Sequence, residues 1–394
     1  MTSPVQEIRM FRSLIRTALT AVLLAAAFGA AAQQSVTIGI VTAMSGPLAA
    51  PGKFQLNGFR LAEEELNQAG GIAAGGAKYR VELKVYDTRG NAAEGASAMQ
   101  RLATVDNVPV VLGELLAGAA AAEAPVAQDN EMPFILTVST APNLTKQGNR
   151  YLFRVNAHND HLTVALAEFV KRQGWGPVGF IAWNNDTGRN GVNAMRKLLG
   201  ADKIGYVGYF NVGDVDFSSH VTNLRTGGAQ AVMLLMDEEP GSLAIKQIRD
   251  AGLKSHLIGT LAMGSDRFLK RLDAQKLDGM VQYNAFPPNV DVPRIKNFAQ
   301  RYKAKFGEEA HGFAAQSYDG LMMVAAAMQK AGTVKDRKAI REALASLRYE
   351  GVIGTIQFDK TGQANPPVYV TQWCSDGRRR VIYPEAMKAD CGAG

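Results

Sequence analysis

Short apolar runs rich in β-branched residues alternate along the chain with longer segments of helical period. The runs are SVTIGIVT, YRVELKVYD, VPVVLG, PFILTV, YLFRVN, PVGFIAW, KIGYVGYF, AQAVMLLM, HLIGTL and GMVQYNAF. Between them, segment 55–69 places Leu56, Phe59 and Leu66 on one face of a helix, and segments 162–172, 191–199, 218–225 and 243–251 repeat that pattern. Alternating strands and helices are typical of a parallel sheet that helices cover on both faces. Since ten strands exceed one compact sheet, we predict an α/β fold of two doubly wound parallel-sheet lobes.

The loops after the predicted strands are the candidate binding segments. In doubly wound sheets, ligands bind where the carboxyl ends of the strands lead into helix N-termini. The corresponding loops are TAMSGPLAAPG, GELLAGA, TVSTAPN, WNNDTGRNG, MDEEPGS and LAMGSD. Most combine Gly, Ser, Thr, Pro or Asn, which cap helices and permit close backbone approach. Each loop alone is consistent with an ordinary turn, but six loops at six strand ends predict a binding edge.

The N-terminus predicts export. Arg9, Arg12 and Arg16 precede the apolar run ALTAVLLAAAFGAAA, and small residues at Ala30 and Ala32 suit cleavage before Gln33. We therefore expect residues 1–32 to be a cleaved signal peptide, because the run is shorter than a membrane span. The chain carries a net charge of +7, but its basic residues are dispersed. We expect no nucleic-acid partner.

Catalytic and metal-binding motifs are not found in the sequence. GPLAAPGK resembles a phosphate loop, but its glycine spacing is wrong and Phe54 stands where Ser or Thr must hold magnesium. We expect no enzyme activity, no cofactor and no metal site. The two cysteines, Cys374 and Cys391, predict a disulfide in an exported protein, and two free thiols are the alternative.

A family resemblance extends from about Val36 to about Tyr383. VTIGIVTAMSGPLAAPGKFQLNGFRLAEEELNQAGGI, MPFILTVSTAPNLT, YLFRVNAHNDH, AAQSYDGLMMVAAAM and YEGVIGTIQFDKTGQ stand in the order of type I periplasmic binding proteins, and the chain resembles their leucine/isoleucine/valine-binding branch. The resemblance implies two lobes joined by three crossovers. Lobe one takes residues 33–155 and 284–356, and lobe two takes 156–283 and 357–394. A solute held between closing lobes is delivered to the membrane permease of an ABC importer. A ligand-sensing receptor domain is the alternative, and we expect a monomer.

The resemblance also implies where the ligand binds. In relatives, the turns equivalent to Leu116, Ala117 and Gly118 and to Val138, Ser139 and Thr140 bind an α-carboxylate, largely through backbone N–H groups near helix N-termini. Small residues there let the carboxylate come close. An ordinary alanine-rich packing helix is the alternative interpretation of the segment that follows Gly118.

Departures from the family pattern leave the ligand class open. Ala117 replaces a common serine, Thr187 replaces an aromatic residue, and Leu261 stands where the leucine-binding relatives carry the glutamate for the ligand ammonium. The candidate replacement acids are Asp237, Glu238, Glu239 and Glu114. If none of them serves, the apolar end of the site is formed by Val138, Trp183, Thr187 and Leu261. The ligand is then an amine-free aromatic or aliphatic carboxylic acid rather than a hydrophobic amino acid.

Overall fold

A computed structural model describes residues 34–260, 263, 266–284, 286–287, 292–385, 388 and 391. The predicted signal peptide, residues 1–32, and the predicted site residue Leu261 lie outside the described residues.

The first sheet contains six strands in the described part of the chain. Its strands are β1 (Gln34–Thr42), β2 (Ile72–Ala74), β3 (Ala77–Asp87), β4 (Val111–Gly113), β5 (Phe134–Leu136) and β6 (Leu152–Arg154). They lie in the order β2-β3-β1-β4-β5-β6, and every pair is parallel except the β2–β3 hairpin. The carboxyl ends of the parallel strands therefore meet at one edge, as the sequence pattern requires.

Helices cover both faces of the first sheet. They are α1 (Ala49–Gln68), α2 (Ala92–Thr104) and α3 (Ala117–Asp129). Ile38 and Ile40 of β1 face the core that contains Phe59 of α1. The next residue, Val41, faces the opposite core with Leu102 of α2. Burial on both faces explains why the strands read as continuous apolar runs.

The second sheet contains seven strands among the residues described here. In chain order they are β7 (Val178–Trp183), β8 (Ile204–Phe210), β9 (Ala231–Leu235), β10 (His256–Gly259), β11 (Val281–Asn284), β14 (Tyr369–Trp373) and β15 (Arg379–Tyr383). The order across the sheet is β15-β14-β11-β10-β9-β7-β8, with antiparallel β14 and β15 at one side. Its helices are α4 (Asn159–Arg172), α5 (Asp186–Leu199), α6 (Ser218–Thr226), α7 (Glu238–Asp250), α8 (Asp266–Leu269) and α9 (Ala274–Leu277).

The same alternation buries the second sheet on both faces. In β9, Val232 and Leu234 pack in the core that holds Ile245 of α7. Their neighbours Ala231 and Met233 pack in the core that holds Phe169 of α4. The predicted α/β class with doubly wound, mainly parallel sheets is confirmed.

The chain passes between the two sheets more than once. It leaves the first sheet after β6 and returns after β11 as α10 (Pro293–Phe306), α11 (Gly312–Ala331) and α12 (Arg337–Ala345). Residues of these helices, such as Ile295, Leu321 and Ile340, complete the first core. The hairpin β12 (Arg348–Gly351) and β13 (Gly354–Gln357) then leads to β14. The lobe bounds given above remain a prediction.

The cysteine pair forms a disulfide. Cys374 follows β14 and is bonded to Cys391. The predicted disulfide is confirmed, and the alternative of two free thiols is wrong. In the portion of the chain described by the structure, no helix combines the length and hydropathy needed to cross a membrane.

Candidate functional site

An apolar cluster lies at the carboxyl edge of the first sheet. Ala43, Leu115 and Val138 follow β1, β4 and β5, and all three are buried together. Leu48 and Phe313 pack against them and remain partly exposed. Three successive strand ends and the first turn of α11 thus supply one apolar surface beside the predicted carboxylate loops.

The loop after β4 begins with a glycine that the fold requires. Gly113 has a φ of 151°, and a Cβ there would lie 1.9 Å from the carbonyl oxygen of Val41. The close approach of β1 and β4 therefore excludes a side chain at this position. The loop leaves the sheet immediately beyond this contact.

Glu114 turns its carboxylate into the protein. Its Oε1 accepts hydrogen bonds from the backbone N–H groups of Leu115 at 2.7 Å and Leu116 at 3.3 Å, and its Oε2 accepts one from Thr88 Oγ1 at 2.8 Å. The side chain is fully buried. This geometry argues against the predicted role of Glu114 as a partner for a ligand ammonium, because one carboxylate oxygen serves the loop after β4 and the other serves Thr88, which follows β3.

A second carboxyl group, that of Glu123 in α3, is buried close to Glu114. Burial raises its pKa well above the usual range for Glu, and the charge of Glu114 raises it further. The neutral form of Glu123 is therefore favoured, which avoids two buried like charges behind the loop.

Helix α3 begins at this loop and presents its N-terminus. Leu116 is the N-cap residue and is exposed, Ala117 is half-buried, and Gly118 is exposed. The first N–H groups of a helix have no intrahelical partner and carry the positive end of the dipole. A Cβ on Gly118 would meet no atom within 4 Å. Open space therefore lies next to these donors. The segment that follows Gly118 is helical, as both interpretations of it require.

The loop after β5 carries a buried hydroxyl without a partner. Ser139 is only 2% exposed, and its Oγ makes no hydrogen bond within the described residues. Its backbone N–H donates to the carbonyl oxygen of Glu114 at 3.1 Å. Asn156 Nδ2 donates to the carbonyl oxygen of Val138 at 3.0 Å, and the Thr140 carbonyl oxygen accepts from Asn159 N–H at 3.0 Å. The half-buried Thr140 thus lies in a loop that is fixed on both sides.

Trp183 ends β7 at the carboxyl edge of the second sheet. It is half-buried and stacks on Phe210, with ring centroids 4.4 Å apart. Gly188 in the first turn of α5 approaches so closely that a Cβ would lie 2.1 Å from the Trp183 carbonyl oxygen. Thr187 is exposed in the same turn, whose N–H at Gly188 is capped by Asn185 Oδ1 at 3.0 Å.

The acidic trio, residues 237–239, follows β9, which is a neighbour of β7 in the second sheet. Asp237 is the N-cap residue of α7, but its side chain makes no capping hydrogen bond, and Glu238 and Glu239 are in the first turn. Asp237 and Glu239 are exposed, and Glu238 is half-buried. Although Asp237 is open to solvent, desolvation by the protein around it raises its pKa.

The predicted site residues therefore come from two different sheets. Leu116, Ala117, Gly118, Val138, Ser139 and Thr140 are brought together at the edge of the first sheet. Trp183, Thr187 and Glu238 lie at the corresponding edge of the second. The sequence pattern does not single out Leu48 or Phe313 as site residues, although Leu48 belongs to a predicted site loop and Phe313 immediately precedes a segment that carries the family resemblance. Within the described residues, no group of three or more His, Cys, Asp or Glu side chains is arranged to hold a metal ion.

Known proteins resemble this chain over most of its length. A family model described as "Periplasmic binding protein" matches residues 35–378. The Leu/Ile/Val-binding protein homolog 3 of Brucella melitensis is 28% identical over 89% of this chain and 94% of its own length. The branched-chain amino acid transporter substrate binding protein LivJ of Streptococcus pneumoniae, solved in complex with isoleucine, is 26% identical with a TM-score of 0.76, covering 89% of this chain and 100% of that chain.

A more distant structure shows the same fold. The solute binding protein of an ABC transporter from R. palustris, solved in complex with benzoate, is 18% identical with a TM-score of 0.73. The match covers 88% of this chain and 95% of that one.

Proposed function

This chain belongs to the periplasmic binding protein family, and from that premise we propose that it captures a small carboxylate-bearing solute between its two lobes. The first candidate ligand is a hydrophobic or branched-chain amino acid. No bond is made or broken in this function. Closure is favoured because contacts with both lobes exist only in the closed form, so that the ligand shifts the population toward it.

One observation carries the proposal. The N-terminus of α3 and the partnerless hydroxyl of Ser139 lie in loops joined by the Ser139–Glu114 hydrogen bond, beside the apolar cluster of Ala43, Leu115 and Val138. Backbone N–H groups and a hydroxyl bind a carboxylate, and an apolar surface binds the adjoining hydrocarbon group. A buried polar atom without a partner is costly, and a ligand carboxylate would satisfy it.

The amino acid ligand has support from relatives and from the acidic trio. The relatives with 28% and 26% identity are named for leucine, isoleucine and valine or for branched-chain amino acids. The carboxylate of Asp237 is accessible to solvent and makes no helix-capping hydrogen bond, so it is able to pair with an ammonium group.

The second candidate is an amine-free carboxylic acid. Glu114, one of the possible ammonium partners, is buried, and its carboxylate accepts hydrogen bonds from Leu115, Leu116 and Thr88. An ammonium group left unpaired in a closed site would cost on the order of a few kcal/mol. If Asp237 and its neighbours face away from the ligand, an aromatic or aliphatic acid fits better, with Trp183 available for stacking.

Cellular placement follows from the family and the N-terminus. We propose that residues 1–32 are removed on export, that the mature monomer works in the periplasm, and that it delivers its ligand to the permease of an ABC importer. Mass spectrometry of protein collected from the periplasm of an expressing host tests the cleavage, and an N-terminus at Gln33 is expected.

A thermal-shift screen tests the ligand class. Protein from the periplasm is heated with leucine, isoleucine and valine, and separately with benzoate and aliphatic acids. A ligand that binds only the folded state raises the melting temperature with the logarithm of its concentration. Stabilisation by the amino acids supports the first candidate, stabilisation by amine-free acids alone supports the second, and stabilisation by neither class contradicts the proposal.

A further inference from the structure

Arg154 is fully buried at the end of β6, where two passages of the chain run side by side. Its backbone N–H donates to the carbonyl oxygen of Gly362 at 2.8 Å, and its carbonyl oxygen accepts from Ala364 N–H at 2.9 Å. Its Nε donates to Gln363 Oε1 at 2.6 Å. The position of the guanidinium group is therefore set by the segment that connects β13 to β14.

The remaining guanidinium contacts are with the predicted carboxylate loop and the residues that follow it. Nη1 donates to the carbonyl oxygen of Ala141 at 2.6 Å and approaches that of Ser139 at 3.5 Å. Nη2 donates to Thr145 Oγ1 at 3.2 Å. Arg154 thus binds the residues on either side of Thr140.

The charge of Arg154 has no acidic partner at ion-pair distance within the described residues. Asp160 attracts it at longer range, but this aspartate is exposed and pairs with Lys146 at 3.3 Å. Burial lowers the pKa of Arg154 to about 10, so the group is still a cation at neutral pH. A buried cation whose hydrogen-bond acceptors are all neutral carries a large desolvation cost, because no opposite charge compensates for its lost hydration.

Two other arginines also donate to backbone carbonyl oxygens and serve as a comparison for Arg154. Arg337 donates to the carbonyl oxygens of Ala103, Val108 and Asn130, and Arg249 donates to those of Leu253 and Ser255. Both are half-buried, so that water shares their charge. Their acceptors precede strands, at the edges of the sheets opposite the candidate site. Arg154 differs in being fully buried and in lying at the binding edge.

We propose that Arg154 is a specificity-determining positioning residue, whose buried positive charge acts through the 139–141 loop to select ligands that carry a carboxylate. The inference rests on the proposed function. The ligand carboxylate supplies the missing negative charge, and the guanidinium holds the loop that receives it. Arg154 contacts the backbone carbonyl oxygens of this loop, and the proposal requires no direct contact between Arg154 and the ligand.

Acid and amide forms of one ligand separate this role from simple packing. Leucine is compared with leucinamide, and benzoate with benzamide, by calorimetric titration of the wild-type protein and four variants. Gln363→Glu places a carboxylate against Arg154 Nε and offsets its charge, at the loss of the two hydrogen bonds that Gln363 Nε2 donates to the carbonyl oxygens of Asn156 and Ala364. Arg154→Met removes the charge, and Arg154→Lys keeps it. Arg337→Met is the matched control, since it removes a carbonyl-binding guanidinium far from the loop.

The preference for the acid over the amide is the deciding quantity. We expect Gln363→Glu and Arg154→Met to lower it by about tenfold, as for a unit charge acting over roughly 10 Å in protein. Arg154→Lys should keep most of the preference, and Arg337→Met all of it.

If Arg154→Met fails to fold, Gln363→Glu still decides, because it leaves the guanidinium in place. Equal loss of acid and amide binding, or an unchanged preference, overturns the inference while the wild-type titration upholds the proposed function. A wild-type protein that binds neither acid contradicts both.

Discussion

The backbone N–H of Ser139 donates to the carbonyl oxygen of Glu114 at 3.1 Å and so joins the loop after β5 to the loop after β4. The Glu114 side chain in turn accepts from the N–H groups of Leu115 and Leu116. A displacement of either loop would therefore strain the other. The two predicted carboxylate loops form one connected unit rather than two independent turns.

Replacement of Ser139 by alanine tests the partnerless hydroxyl. Because its Oγ has no protein partner, we expect Ser139→Ala to leave the stability of the unliganded protein unchanged or to raise it by about 1 kcal/mol. Ligand affinity should fall by roughly 1–3 kcal/mol if the hydroxyl binds the carboxylate. Denaturation and titration calorimetry measure the two effects.

Ser255→Ala is the matched control for that experiment. Its hydroxyl is also buried but donates to the carbonyl oxygen of Ala229 at 2.6 Å, away from the site. We expect the opposite outcome, with lower stability and unchanged affinity. An unaltered affinity in Ser139→Ala would remove this hydroxyl from the ligand contacts.

Side chains of increasing size at Gly118 test the open space at the start of α3. Because a Cβ there would meet no atom within 4 Å, Gly118→Ala and Gly118→Leu should both fold with unchanged or slightly higher stability. We expect affinity to fall moderately for alanine and by more than about tenfold for leucine, which would fill the space beside the free N–H groups. Full affinity in Gly118→Leu would show that the ligand binds elsewhere.

Asp237→Asn tests the ammonium partner. If Asp237 pairs with an ammonium, the substitution should weaken amino acid binding by about tenfold or more and spare amine-free acids. Since desolvation raises the pKa of Asp237, amino acid affinity should also increase as the pH rises through its titration. That increase should vanish in the variant. Asp202→Asn, at an exposed aspartate that precedes β8, is the control, and equal losses for both ligand classes in Asp237→Asn would indicate a structural role.

Much of the fold was predictable because burial on both faces leaves a strong pattern. All ten predicted apolar runs contain strands of the two sheets. The strands that the pattern missed are the short β2, the hairpin β12–β13, and the pair β14–β15. The sequence of β12, RYEG, is partly polar and lies in the separate two-stranded hairpin. The sequence of β15, RRVIY, is also partly polar and lies at the edge of the second sheet. Apolar periodicity does not mark such strands.

The site was predictable in its loops but not in the directions of its side chains. Glu114 stands beside the predicted carboxylate loop in the sequence, which makes it a candidate ammonium partner. Its direction depends on Thr88, which follows β3 and is distant in sequence. Phe313 joins the apolar cluster from α11, so only the tertiary fold brings it to the loops. Arg154 reads as one polar residue within a strand, and its burial has no local signal.

Removal of the disulfide tests whether the C-terminal segment matters for binding. The double variant Cys374→Ala and Cys391→Ala opens a loop with a sequence separation of 17, for which chain entropy predicts a loss of roughly 3 kcal/mol of unfolding free energy. Ligand affinity should not change. The reason is that β14 is antiparallel to β11, so Cys374 lies at the edge opposite the site. A large drop in affinity would contradict this separation of stability from binding.

Asp319 in α11 predicts a pH dependence of stability. It is fully buried, and its carboxylate accepts from the N–H groups of Val352 at 2.9 Å and Ile353 at 2.8 Å. Burial raises its pKa to about 7 against an ordinary value of 3.8, although the two N–H donors and Arg294 oppose the shift.

The raised pKa means that the folded state holds a proton which the unfolded state releases. The stabilising contribution is complete below pH 3.8 and is lost as the pH rises through about 7. Asp319→Asn has no such proton, so its stability relative to the wild-type protein should improve between pH 4 and pH 7, by at most about 4 kcal/mol. Urea denaturation at several pH values measures the difference. Asp336→Asn is the control, because this exposed aspartate also accepts two backbone N–H bonds, from Lys338 and Ala339. Parallel stability curves for the wild-type protein and Asp319→Asn would mean that Asp319 stays ionised, held by its two N–H donors in spite of burial.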